Sequence, residues 1–346
     1  MVTKEGVVKI KALLTIASGL VALSFAANQA LADDLLAGEH EATIKAIPGV
    51  ISGDAKWDLV WASDLTADGI VGSPDGGLLF AQEQSNTIKK LDRNGREWTY
   101  VKDTHGAGAV SLDKEGRLFA VQRTCTDPGL HEPSCPEPTM VGILLPTRTR
   151  LADAFPDGTT LGRVNDVIAD GKGGAYFTTG TFKAGGAYYV NMSGKVMTVE
   201  DKNLHSNGIM LSPDGKTLYV TNNTSVVAFD VQSDGMGMNR RDFASLGDDN
   251  GADGMAIDSE GRLYVTAAKG IHVYSKDGKE LGIIETRRRP ISLAFSGPDK
   301  KTLYVAAMGA VGPDGKAFQT PEGVRNTSMT LYKVQMIAQG YMGRPK

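Results

Sequence analysis

Cysteine is nearly absent: the 346 residues contain only Cys125 and Cys135, both in "RTCTDPGLHEPSCPEP". No second Cys/His pair of matching spacing exists to complete a metal site, so the pair reads as one disulfide clipping a Pro-rich loop. By the chain-entropy model so small a loop contributes roughly 2–3 kcal/mol. Basic runs are also missing. Apart from Arg287-Arg288-Arg289 no Lys or Arg cluster occurs, and the formal net charge is -3, which argues against nucleic acid as a partner. No long helical periodicity follows residue 40. The five histidines, His40, His105, His131, His205 and His272, lack the paired spacing of a zinc site. G-x-S-x-G, H-E-x-x-H and P-loop motifs and a dinucleotide fingerprint are all absent, and "DDNGADG" at residues 248–254 lacks the remaining ligands of an EF-hand loop. Serine hydrolases and nucleotide enzymes are thereby disfavoured.

Long apolar runs occur only at the N-terminus. Lys4, Lys9 and Lys11 precede "ALLTIASGLVALSFAA", and Ala30-Leu31-Ala32 stands before Asp33-Asp34. A basic segment, a short apolar segment and an A-x-A site form a secretory signal, predicting residues 1–32 as a signal peptide and a mature domain over 33–346. The competing reading is a retained membrane anchor, disfavoured because the run is short for a spanning helix and broken by Ser, Gly and Asn. A periplasmic or secreted protein with no membrane association after cleavage is therefore expected. Oligomeric state is not encoded in any recognisable pattern.

What is abundant is glycine, 42 residues, or about 12% against a usual 7%. Together with many short strand patterns this predicts a turn-rich, all-β fold. Six segments repeat a strand, a Gly- or Asp-containing turn and a second strand with an aromatic: "DGIVGSPDGGLLFAQE", "GAVSLDKEGRLFAVQ", "NDVIADGKGGAYFTTG", "NGIMLSPDGKTLYVTN", "DGMAIDSEGRLYVTAA" and "ISLAFSGPDKKTLYVAA". The aligned aromatics Phe80, Phe119, Tyr176, Tyr219, Tyr264 and Tyr304 lie 39, 57, 43, 45 and 40 residues apart. A period near 40 corresponds to a four-stranded blade, and six such blades predict a six-bladed β-propeller. The strand-like "WDLVWASDL" ahead of the first repeat is expected to complete the last blade and close the ring. The long interval of 57 residues holds the cysteine loop, expected to overhang one end of the ring, where it would shape the pocket as part of a lid.

The residue opening each repeat is Asp68, Gly108, Asn165, Asn207, Asp253 and Ile291 or Ser292. In a propeller these positions begin the innermost strands, so they converge on one mouth of the central channel. Asp-Gly and Asn-Gly are also favoured turn pairs. Here, however, the turns already have occupants seven or eight residues later, such as "PDG", "KEG" and "SEG". Two carboxylates and two amides around one mouth offer hard oxygen ligands suited to a divalent cation such as Ca²⁺. His205, two residues before Asn207, is near enough in sequence to line the same mouth.

These segments resemble the regucalcin, gluconolactonase and luciferin-regenerating-enzyme family. The likeness is carried by Arg163-Val164-Asn165-Asp166, Asn207-Gly208-Ile209 with "LSPDGKTLYVTN", Asp253-Gly254-Met255 with "IDSEGRLYVT", and "LAFSGPDKKTLYVAA". It is specific over residues 150–306 and looser before. The resemblance implies a divalent metal at the channel mouth, commonly Ca²⁺ with Mn²⁺ or Zn²⁺ as alternatives, and hydrolysis of a small-molecule lactone. Carried over by position, Asn207 and Asp253 are metal ligands and Arg163 and Asn165 face substrate. Where the family usually has Glu-Gly-Pro, this chain has Asp68-Gly69-Ile70. Asp68 keeps the ligand charge one methylene shorter, so a metal there must shift or accept a bridging water. Because Ca²⁺ acidifies bound water only weakly, a carboxylate base is required, and Asp253 is the candidate. The competing expectation is a non-catalytic periplasmic propeller that binds a ligand or partner around a structural calcium.

Overall fold

The computed structural model describes residues 35, 39–63, 65–123, 138–180, 185–308 and 330–343, together with the backbone of 319–320 and 323–324. The expected signal peptide and the Cys125–Cys135 loop lie outside the described residues. From Leu35 onward the chain forms one compact unit.

Six four-stranded antiparallel sheets follow one another in chain order. Blade 1 comprises Ile70–Gly72, Leu78–Gln82, Thr87–Leu91 and Glu97–Lys102, and blade 2 comprises Ala107–Leu112, Leu118–Gln122, Met140–Leu145 and Thr149–Ala152. Blade 3 runs through Val164–Ala169, Ala175–Thr179, Gly185–Val190 and Val196–Leu204, and blade 4 through Ser206–Leu211, Thr217–Asn222, Ser225–Val231 and Gly237–Ser245. Blade 5 holds Met255–Ile257, Leu263–Ala267, Gly270–Tyr274 and Glu280–Ile284. Blade 6 is built from Pro290–Ser296, Thr302–Ala307 and Thr330–Gln335, and its outer strand is Asp58–Ala62 from the other end of the chain. The six-bladed, all-β architecture and the closure by "WDLVWASDL" are both as expected. Glu83–Ser85 forms a single 3-10 turn, and the described residues contain no other helix.

The repeated aromatics show why the blades close. Phe80, Phe119, Tyr176, Tyr219, Tyr264 and Tyr304 all lie on second strands and are all buried. A single blade leaves one apolar face uncovered, and that face is satisfied only by the next blade. The N-terminal segment fills the seam behind blades 5 and 6: Ile44, Ile47, Val50, Ile51 and Trp57 are buried against Ile271, Ile284, Val305 and Tyr332. Trp57 donates its indole N–H to the Glu285 carbonyl at 2.8 Å.

The inner hairpins use two related turns. In blades 2, 3 and 5 an aspartate ends the inner strand and accepts backbone N–H groups two and four residues on. Asp113 Oδ1 takes those of Glu115 and Arg117 at 3.0 and 2.9 Å, and Asp258 Oδ1 those of Glu260 and Arg262 at 2.9 Å each. Asp170 Oδ1 does the same with Lys172 and Gly174 at 2.6 and 3.0 Å. Blades 1 and 4 use Ser-Pro-Asp-Gly instead, with the Ser73 and Ser212 hydroxyls on the Asp75 and Asp214 carboxylates. Gly116, Gly215 and Gly261 follow at φ between +69° and +80°, which glycine adopts without strain.

Candidate active site

At the opposite end of the inner strands each blade carries an irregularity. Asn165 and Asp166 face only Thr178 across the sheet, and Asn207 and Gly208 face only Thr221. Asp68-Gly69 pairs with Ala81 alone, and Asp253-Gly254 with Thr266 alone. Each of the four Asp or Asn residues is thus the first of two residues opposite one, a β-bulge that redirects its side chain.

The glycines after these residues serve contact rather than turning. A Cβ on Gly69 would lie 2.4 Å from the Ala109 Cα, one on Gly208 would lie 2.2 Å from the Asp253 carbonyl oxygen, and one on Gly254 would lie 2.7 Å from the Ile291 oxygen. Gly69 N–H donates to the Gly108 carbonyl at 2.9 Å and Gly254 N–H to Ile291 at 2.8 Å. The Asp-Gly and Asn-Gly pairs are therefore blade-to-blade contacts, and the turn reading of these pairs fails. Thr178, Thr221 and Thr266, each two residues after a repeat aromatic, donate their hydroxyls to the Asn207, Gly208 and Gly254 carbonyls at 2.5, 3.3 and 3.1 Å. They clamp the bulges in place.

Side chains then link the blades around the mouth. Arg123, buried just past the second strand of blade 2, donates to the Asp68 and Glu83 carboxylates. It also donates Nη1–H to Asn165 Oδ1 at 2.7 Å. Asn165 in turn donates its amide N–H to Asn207 Oδ1. Asp166 is buried, and its carboxylate accepts the Val167 and Ile209 N–H groups at 2.8 and 3.1 Å, tying blade 3 to blade 4. Asp68, Asn165 and Asn207 are thus joined through Arg123 in one chain of side-chain bonds, and Asp253 lies on the next blade, its carbonyl against Gly208. Arg163 lies half-buried immediately before the inner strand of blade 3. His205 is exposed, and its backbone N–H is held by Asn222 Oδ1 at 2.8 Å.

Asp253 differs from the other mouth residues. Among the described residues its carboxylate takes no hydrogen bond. Burial, with Asp68 and Asp166 adding negative charge, pushes its pKa up to about 8, while Arg289 and Arg123 oppose the rise. Arg289 directly precedes the inner strand of blade 6 and lies over Gly251, where a Cβ would meet its Nη2 at 2.3 Å. The arginine triplet is split by role: Arg287 and Arg288 face Glu39 of the N-terminal segment at 3.9 and 3.7 Å, and Arg289 is the member coupled to Asp253.

Sequence reasoning missed Glu83, Arg123, Asp166 and Arg289 as functional residues. A signal for two of them existed. Glu83 and Arg123 each directly follow the second strand of adjacent blades, so their opposite charges fall at the same height in the repeat.

The family model of the SMP-30/gluconolactonase/LRE-like region matches residues 66–309. The chain belongs to this family. Pentonolactonase XacC of Haloferax volcanii is 29% identical over 283 residues, covering 79% of this chain and 91% of that protein. Among solved structures, a gluconolactonase from Xanthomonas campestris aligns at a TM-score of 0.66 with 19% identity, covering 88% of this chain and 98% of that one. Regucalcin from Agrobacterium tumefaciens, a calcium-binding protein, aligns at 0.58 with 18% identity, covering 78% and 91%. At these identities the two structures establish the shared propeller fold.

No three His, Cys, Asp or Glu side chains among the described residues are grouped to hold a metal. The mouth mixes carboxylates with amides. Asn207 Oδ1 has a second lone pair, and the Asp253 carboxyl sits where negative charge is under-compensated. That donor set fits an oxygen-seeking divalent cation completed by water.

Proposed function

We propose that the protein is an exported lactone hydrolase acting at the channel mouth. The observation that carries this reading is the carboxyl of the half-buried Asp253, which takes no hydrogen bond among the described residues and feels the negative charge of Asp68 and Asp166 against the positive charge of Arg289 and Arg123. The lactonase relative covering most of the chain supports the substrate class, and the N-terminal signal pattern supports export.

Hydrolysis requires water to attack the ring carbonyl carbon, the ring C–O bond to break, and the attacking water's proton to reach the departing alkoxide. Asp253 in its carboxylate form is the group placed to accept that proton and deliver it, producing a hydroxy acid. Arg289 beside it favours the carboxylate form. Asn165, held by Arg123 and itself bonded to Asn207, is rigid enough to orient substrate hydroxyls, and Arg163 flanks the same bulge. Asn207 Oδ1 and the Asp253 carboxylate are the oxygens that would hold a divalent cation. The chemistry supplied by bound Ca²⁺, or by Mn²⁺ or Zn²⁺, is charge stabilisation at the carbonyl oxygen and a lowered Asp253 pKa.

Proton release from a panel of aldonolactones and aromatic lactones, with each cation and with a chelator, tests this reading. Turnover lost on chelation is expected, whereas absence of turnover with every cation would overturn it. The second reading, a non-catalytic binder with structural calcium, is favoured by the engagement of Asp68 with Arg123. It predicts calcium-dependent stability without turnover.

A further inference from the structure

The first-blade carboxylate has a partner within the chain, and the surroundings are shaped for it. Arg123 is buried, and its guanidinium spans three blades: Nη2 to Asp68 of blade 1, Nε to Glu83 at the end of the second strand of blade 1, and Nη1 to Asn165 of blade 3. Nη1 also reaches the Asn165 carbonyl oxygen at 3.3 Å. Blade 2 contributes Gly108 at the position where four other blades carry Asp or Asn, and a Cβ there would lie 2.1 Å from the guanidinium carbon. The missing side chain of blade 2 is thus the space that Arg123 occupies. A buried guanidinium is permanently charged, and its planar fork suits two carboxylates at once.

We propose that Arg123 is the resident counter-cation of Asp68 and Glu83, so that Asp68 positions Arg123 and Asn165 instead of ligating a divalent cation. The metal-binding set is thereby confined to the side of blades 4 and 5, with Asn165 held in place by the guanidinium. This inference builds on the reading of the mouth as a divalent-cation site. Charge balance points the same way. With Arg123 present, the Asp68 and Glu83 pair carries one net negative charge. Loss of the guanidinium removes that positive charge from beside two carboxylates, and the site becomes more attractive to a divalent ion.

Calcium titration by calorimetry on the full chain tests the assignment. Arg123→Gln is expected to tighten the Ca²⁺ Kd at least tenfold, and Arg123→Lys to leave it within threefold, since the lysine keeps the charge. Gly108→Ala, which displaces the guanidinium without changing any charge, is expected to shift the Kd in the same direction as Arg123→Gln. In the unmodified background Asp68→Asn should change the Kd less than threefold, and in the Arg123→Gln background it should weaken binding tenfold. Abolition of Ca²⁺ binding by Asp68→Asn alone, with Arg123→Gln neutral or weakening, would overturn the proposal.

Thermal melts in chelator separate this idea from the functional reading. If neither the native chain nor Arg123→Gln binds Ca²⁺, the metal reading falls and the melts decide the role of Arg123. Destabilisation by Arg123→Gln that Asp68→Asn or Glu83→Gln partly restores supports the counter-cation. An Arg123→Gln melt equal to that of the native chain rejects it.

Discussion

Aspartate occupies both ends of the inner strands of this propeller, and the two ends use it oppositely. At the hairpin end Asp258 is fully enclosed: Oδ1 accepts two backbone N–H groups, and Oδ2 accepts Arg262 Nε at 2.6 Å and the Tyr264 hydroxyl at 3.0 Å. At the mouth of the same blade, five residues earlier and roughly 16 Å away along an extended strand, the Asp253 carboxylate takes no hydrogen bond among the described residues and is pushed up to about 8. The residue type is the same. One carboxylate is solvated by the fold and stabilises it, and the other has no hydrogen-bonding partner among the described residues. Groups whose environment opposes their charged form are the ones available for chemistry.

Exchanging the two aspartates for alanine separates these roles most sharply. Asp253→Ala is expected to lower kcat for lactone hydrolysis about a thousandfold, with a circular-dichroism melt close to that of the native chain. Retention of more than a tenth of the activity would remove Asp253 from the mechanism. Asp258→Ala is expected to do the reverse. Loss of the Arg262 and Tyr264 partner and of the acceptor for two backbone N–H groups should cost about 2–3 kcal/mol in urea denaturation, with kcat/KM of the folded fraction within twofold.

Acidity sharpens the same contrast. In chelator the folded chain keeps the Asp253 proton up to about pH 8, whereas the unfolded chain releases it near the ordinary value of 3.8. A pKa raised on folding means that stability falls as pH rises through this window. The Tm of Asp253→Asn relative to the native chain should therefore climb from pH 5 to pH 8 and level off above pH 9. A pH-independent difference would show that the carboxyl is not held protonated.

The glycines give the smallest and most local version of the comparison. Gly116 at the hairpin end has φ of +80° and open space around it, so Gly116→Ala should cost only about 1 kcal/mol of conformational strain. Gly208 at the mouth faces the Asp253 carbonyl. Gly208→Ala should cost about 2–3 kcal/mol through overpacking and should also depress activity, because the blade 4–5 contact that seats Asp253 must open. Equal effects on activity would show that the mouth glycine, too, serves only the backbone.

Much of this was legible in one sequence because a propeller writes its architecture repeatedly. The spacing of Phe80, Phe119, Tyr176, Tyr219, Tyr264 and Tyr304 revealed the blade number, and Asp68, Asn165, Asn207 and Asp253 stood out because the same place recurred. Glu83, Arg123 and Arg289 did not recur. Each acts by reaching across to another blade, and the one trace of this in the repeat is that Glu83 and Arg123 follow equivalent second strands with opposite charges. Gly69, Gly208 and Gly254 were open to misreading as turn residues, since a local pattern cannot distinguish a backbone that turns from one that touches its neighbour.

The sequence by itself determined the repeat, the turns and the set of polar residues brought to one mouth, because these depend on local conformation and on an apolar face that only a like face can cover. Tertiary structure alone decided which of those polar residues are consumed by one another. Arg123 pairs with Asp68 through a gap left by Gly108, and bulges set the backbone at Asn165, Asn207 and Asp253. Asp253 keeps an under-compensated carboxyl because Coulomb forces at the mouth depend on distances across blades, and those distances exist only once the ring has closed.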